Sequence, residues 1–153
     1  MTELARIEAV VALQGMDLLT HCRAEEILRI AAIATERPFA AGETIYRAQD
    51  PADRLYFVVH GSVRLTGPDG AERRLAPLQS FGVLEILSGR LRAEEATAEA
   101  ETLTLACDAE DFFDLLSNNI EMIRALFRHL LQRREVPQLE ERRDAASDVQ
   151  TAT

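Results

Sequence analysis

The stretch FAAGETIYRAQDPADRLYFVVHGSV, Phe39 to Val63, decides the fold class. Leu55-Tyr56-Phe57-Val58-Val59 is an unbroken apolar run rich in β-branched and aromatic residues, which reads as a core β-strand. Gly42 and Gly61 bracket it as turn positions that need positive φ, and Asp50 and Asp53 read as loop caps. Downstream, Val63 and Leu65, then Leu103, Leu105 and Cys107, continue the period-two pattern, punctuated by Gly67, Gly70, Gly82 and Gly89. Gly67-Pro68-Asp69-Gly70 joins two of these strands as a hairpin. Short strands at near-regular spacing form a sandwich or barrel, and parallel pairing would need helical crossovers for which there is no room. The sheet is therefore expected to be mainly antiparallel.

Helical patterns flank this region. Leu4, Ile7 and Val11 recur at helical spacing, and Ile27, Ile30, Ala31 and Ala34 do so again, with a break from Gly15 to His21. Thr20 or Cys22 is expected to open the second helix, with Glu25 and Glu26 in its electropositive first turn, and Pro38 to stop it. On the far side, Asp108 is expected to cap a helix carrying Phe112, Leu115 and Leu116. After Asn118-Asn119 a further helix carries Ile120, Ile123, Phe127, Leu130 and Leu131 and ends near Arg134, and Pro137 breaks the pattern. The organisation read from the chain is 1–35 N-terminal helices, 36–107 β barrel, 108–134 C-terminal helices and 135–153 a disordered polar tail. The class is α+β, an antiparallel β barrel flanked by N-terminal and C-terminal helices.

Composition narrows the function. The chain has 153 residues, 47% of them hydrophobic, which fits one globular domain. Its 26 acidic residues outweigh 17 basic ones, all arginine, for a net charge of −9, and nucleic acid is not expected as a partner. Cys22 and Cys107 match no metal knuckle and read as buried free thiols in a reducing cytoplasm. No apolar run approaches the roughly 20 residues that span a bilayer, and Met1-Thr2-Glu3-Leu4 lacks the order of a signal peptide. A cytoplasmic protein without membrane insertion is expected.

Residues Phe39 to Val63 resemble, almost position by position, the first strands of the cyclic nucleotide-binding domain family, and the resemblance continues through Phe81-Gly82 and Ala96-Thr97-Ala98 to Asp111-Phe112. It implies a jelly roll with a short helix in a phosphate-binding cassette, and cAMP or cGMP as ligand. In that family a Phe-Gly-Glu turn leads into a helix whose N–H groups face the cyclic phosphate, and the Glu accepts a hydrogen bond from the ribose. An Arg further on pairs with a phosphate oxygen, just ahead of a small residue, Ala and Thr or Ser.

By this resemblance the ligand-binding positions are Gly82, Val83, Leu84, Arg92 or Glu94, Ala96 and Thr97. Val83 stands where the family has Glu and cannot accept a hydrogen bond, at a cost of about 1–3 kcal/mol for a buried, unpaired ribose hydroxyl. Glu85, two residues on and about 200° round the helix, is expected to face away. Counting forward from Gly82 puts Arg92 at the phosphate arginine, whereas counting back from Ala96-Thr97 puts Glu94 there. Strand pairing tolerates slips poorly, which favours the second count. A carboxylate about 4 Å from the phosphate would repel it by about 4 kcal/mol at an effective dielectric near 20.

Other chemistries find little support. His21, His60 and His129 fall on separate elements without metal-ligand spacing, and Ser62, Ser80 and Ser88 lack a nucleophile motif. No basic recognition helix follows the last long helix. The expectation is a non-enzymatic regulatory or sensor module, without cofactor and with weak or absent cyclic nucleotide binding. It would act through protein contacts, as a homodimer or on a partner domain through the helix from Ile120 to Arg134, or as part of a larger protein. The alternative is a working cAMP or cGMP sensor that uses Arg92 and backbone donors.

Overall fold

The structure, a computed structural model, describes residues 3–132. Helices α1 (Glu3–Gln14) and α2 (Ala24–Ile33), with a single 3-10 turn at Asp17–Leu19 between them, lead into eight strands. These are β1 (Ala34–Phe39), β2 (Thr44–Tyr46), β3 (Arg54–His60), β4 (Val63–Thr66), β5 (Glu72–Leu75), β6 (Ser80–Phe81), β7 (Glu95–Ala98) and β8 (Thr102–Asp108). Helix α3 (Val83–Ser88) lies between β6 and β7, α4 (Ala109–Ser117) follows β8, and residues 120–132 form α5.

The strands make two four-stranded sheets, ordered β1-β8-β3-β6 and β2-β7-β4-β5, with every pair antiparallel. This is the expected α+β jelly roll. The apolar run of β3 is continuous because both its faces are covered. Leu55 and Phe57 pack with Leu105 and Cys107 of β8 against Leu13, Ile30, Phe112, Met122 and Leu126 of the helices. Tyr56 and Val58 alternate onto the other face, where they meet Tyr46, Val63, Leu65, Phe81 and Ala96 inside the barrel. The first sheet is thus the middle of three layers. The hairpin forms as read: the Gly67 and Ala71 backbone and the Asp69 carboxylate close the turn between β4 and β5.

Several local expectations give way to tertiary context. Pro38 does not stop α2, which ends at Ile33; it sits in β1, paired with Leu103, and residues 34 and 35 are strand. β1 is an edge strand, so a residue without an N–H is tolerated there. α2 opens at Ala24, later than Thr20 or Cys22, with the Glu26 carboxylate accepting the Arg23 N–H. Asp108 stands at the start of α4, but its carboxylate takes the Arg54 Nε–H at 3.0 Å and makes no cap. On α5 the buried residues are Met122, Ala125 and Leu126, while Ile120, Phe127 and Leu131 are 66%, 51% and 50% exposed. The tail expected at 135–153, like Arg133 and Arg134, lies outside the described residues.

Candidate functional site

A cavity of about 550 Å³ opens at one end of the barrel. Its walls come from α3, the turn at Gly82, the loop after α3, and the inward aromatics Tyr46 and Phe81; Leu18 and Leu130 close it from the N-terminal turn and α5. The Asp17 carboxylate ties that turn to the barrel by accepting the Ser80 N–H at 3.0 Å and the Ser80 hydroxyl at 2.7 Å.

Gly82 starts α3 with φ 86°, in the left-handed region. A Cβ there would lie 2.9 Å from Arg92 Nη1 and 3.2 Å from the Arg54 carbonyl oxygen, so the turn admits only glycine. Val83 and Ile86 bury on the helix-side core. They stand about 60° apart round the helix, and this anchoring turns Glu85 toward the cavity. Glu85 lines the cavity with its side chain 16% exposed, contrary to the expectation that it faces away, and Val83, buried against the helix-side core, borders the cavity as well.

Arg92 is fully buried. Its backbone is clamped by the loop between β2 and β3: the Arg92 N–H donates to the Asp50 carbonyl at 2.9 Å, and the Gln49 N–H donates to the Arg92 carbonyl at 2.8 Å. Gln49 adopts φ 73° to do so, and the Asp50 carboxylate holds the loop by accepting the Arg47 N–H at 2.9 Å. The guanidinium then lies inside the barrel. Nη1 donates to the Gly82 carbonyl at 2.7 Å, Nη2 donates to the Arg54 carbonyl, and the Tyr46 ring lies 4.2 Å from the guanidinium carbon. Glu85 Oε2 is 3.8 Å from Nη1. The planar fork of Arg92 thus ties the start of α3 to the start of β3. Burial raises the Tyr46 phenol far above its ordinary value, so it stays protonated beside this cation.

Of the positions expected at the site, Gly82, Val83, Leu84 and Glu94 line the cavity, while Arg92, Ala96 and Thr97 are not among its lining residues. Ala96 points into the barrel core, paired across β7 with Tyr46 and Leu65, whereas Thr97 falls on the alternate side. Glu94, 27% exposed, meets Arg73 Nη2 at 3.3 Å. Sequence reading missed Tyr46, Leu65, Arg73, Leu18 and Leu130. The inward alternation of Tyr46 and Leu65 was available as a signal; Leu18 and Leu130 come from distant segments and carried none. Among the described residues no group of three or more His, Cys, Asp or Glu is placed to hold a metal ion, and no helix is long and apolar enough to cross a membrane.

An eight-strand jelly roll with a short helix over a cavity at one end is the architecture on which the family assignment rests. Residues 36–119 match the cyclic nucleotide-binding domain, and the chain belongs to that family. It is similar to a cyclic nucleotide-gated potassium channel of Mesorhizobium japonicum, 32% identical over 108 residues that make up 71% of this chain and 30% of the channel. The N-terminal domain of a transcriptional regulator from Streptomyces coelicolor is 31% identical with TM-score 0.67, over 88% of this chain and 96% of that domain. The regulatory subunit of a cAMP-independent protein kinase A from Trypanosoma brucei shares the fold at TM-score 0.73 and 22% identity, over 91% of this chain and 52% of that one. The chain spans less than half the length of the curated relatives it matches.

Proposed function

We propose that this chain is a non-enzymatic regulatory module whose affinity for cAMP and cGMP is weak or absent, and which works through protein contacts or within a larger protein. The observation that carries this reading is the disposition of charge at the cavity. One N–H of each Arg92 Nη is held by a backbone carbonyl, Nε has no hydrogen-bond partner among the described residues, and Arg92 is not among the lining residues, while the Glu94 and Glu85 carboxylates line the wall with Arg73 and Arg90. A cyclic phosphate about 4 Å from one of them meets about 4 kcal/mol of repulsion at an effective dielectric near 20, roughly a thousandfold in affinity. Val83 adds no acceptor for a ribose hydroxyl. The Trypanosoma brucei subunit, alike in fold, belongs to a kinase described as cAMP-independent, so the fold does not itself entail cAMP binding. The exposed apolar residues Ile120, Phe127 and Leu131 of α5 support a role in contacts with a second copy or a neighbouring domain.

The competing reading, a working sensor, draws on the inward guanidinium of Arg92 and the size of the cavity. It draws on the Arg92 N–H groups beyond the two held by the Gly82 and Arg54 carbonyls, and any movement that breaks those two bonds costs about 1–3 kcal/mol for each carbonyl left buried and unpaired. Titration calorimetry with cAMP and cGMP up to millimolar ligand separates the two. No saturable binding tighter than about 10 μM is expected; a dissociation constant below that, about 7 kcal/mol of binding free energy, overturns the proposal.

A further inference from the structure

We infer that a groove between α1 and the first sheet, away from the cavity under α3, receives the exposed face of α5 from a second copy of this chain; this rests on the reading above that the module works through protein contacts, and names the partner. The groove holds about 240 Å³, below the roughly 300–1,000 Å³ of small-molecule sites and on the scale of a projecting side chain. It exists because α1 meets the sheet through Ala5, Ala9 and Ala12, whose side chains are too short to fill the space over Val59, Leu103 and Leu105. Val59 and Leu103 are left only partly buried.

The charge of the rim selects the occupant. Glu8 of α1 and Glu36 of β1 border the groove, both exposed, and neither has an ion-pair partner among the described residues. The remaining polar residue of the lining is His60. An apolar segment that carries cations fits such a rim, whereas an acidic segment or an anionic lipid surface is repelled. The chain itself presents a segment of this kind. On α5, Ile120, Arg124, Phe127 and Leu131 fall within about 60° of one another round the helix, with Arg128 beside them. All five are exposed, while Met122, Ala125 and Leu126 face the chain's own core. Arg124 meets Glu121 at 3.7 Å on the open surface, and Arg128 has no ion-pair partner among the described residues. With Phe127 or Leu131 seated in the groove, Arg124 and Arg128 lie against Glu8 and Glu36. Each copy carries both surfaces, so a two-fold pair makes the contact twice.

The test is sedimentation equilibrium of the full chain up to about 100 μM, for wild type, for the groove-reversed variant E8R/E36R, for the helix-reversed variant R124E/R128E, and for an equimolar mixture of the two variants. The wild type is expected to pair with a dissociation constant below about 100 μM. Each variant alone is expected to pair at least about tenfold more weakly, because both of its contacts then set like charges against each other. The mixture is expected to regain pairing to within about threefold of wild type, since one contact has its signs exchanged and the other is unaltered. All four substitutions lie at exposed positions, and thermal melts check that the variants fold. A wild-type chain still monomeric at about 100 μM overturns this inference and leaves the contact reading to a neighbouring domain. Pairing that both variants retain overturns the assignment to this groove while contact between copies stands. Pairing lost in both variants and not regained on mixing overturns the match of α5 to the groove.

Discussion

Replacing Arg92 with alanine tests whether this guanidinium is built into the barrel or held for a ligand. The substitution leaves the Gly82 and Arg54 carbonyls without their donors and removes the cation nearest Glu85. Each unpaired buried carbonyl costs about 1–3 kcal/mol, and losing the ring contact with Tyr46 adds about 0.5–2 kcal/mol. Relief of the desolvated charge offsets part of this, and breaking a buried charge pair from one side usually costs about 3–5 kcal/mol net. A domain of this size has only about 5–15 kcal/mol in total, so the loss is a large fraction. Urea unfolding monitored by circular dichroism should show it directly, and the thermal midpoint should fall by about 6–20 °C. Arg92→Lys should lie between the two, since a point charge cannot fork onto two carbonyls. Arg92→Met keeps the volume and isolates the hydrogen-bonding part of the loss. A change under about 1 kcal/mol for Arg92→Ala would refute the structural role and return the guanidinium to the ligand.

Gly61 has φ 91°, and a Cβ there would lie 2.5 Å from the Glu101 carbonyl oxygen; Gly70 has φ 83° with open space around it. Gly61→Ala should therefore destabilise by well over the roughly 1–2 kcal/mol that the left-handed backbone alone costs Gly70→Ala, and equal losses in chemical denaturation would contradict the close approach. Burial pushes the Cys107 thiol up to about 12, and burial with the Glu26 charge pushes Cys22 to about 11. Both folded values lie above the ordinary one, so their contribution to stability is complete below about pH 8.5 and is lost as pH rises through about 11 to 12; a urea midpoint that stays flat across that window would count against it. Phe127 is half exposed, so Phe127→Asp should leave the thermal midpoint within about 2 °C while abolishing self-association seen by sedimentation near 100 μM; a wild-type monomer at that concentration argues against contact between copies.

Legibility of the fold tracked how local each signal was. The β3 run, the turns at Gly42 and Gly61 and the hairpin at Gly67 to Gly70 were readable because each depends on neighbouring residues: both glycines hold positive φ, at 85° and 91°. Pro38 misled because its tolerance depends on β1 being at a sheet edge, which only the pairing with β8 creates. Which apolar face α5 buries was likewise not a local matter. Both of its sides carry apolar residues, and packing against the first sheet and α4 selected Met122 and Leu126 over Ile120 and Phe127.

At the cavity the division is sharper. Residue identity alone determined that position 83 offers no acceptor and that a carboxylate, Glu94, stands ahead of β7. Tertiary structure decided where Arg92 and Glu85 point. Arg92 is aimed by hydrogen bonds to Gln49 and Asp50, far earlier in the chain, so counting along the loop could not orient it. Glu85 reaches the cavity because burial of Val83 and Ile86 sets the rotation of α3, and that rotation depends on a core assembled from helices at both ends of the chain.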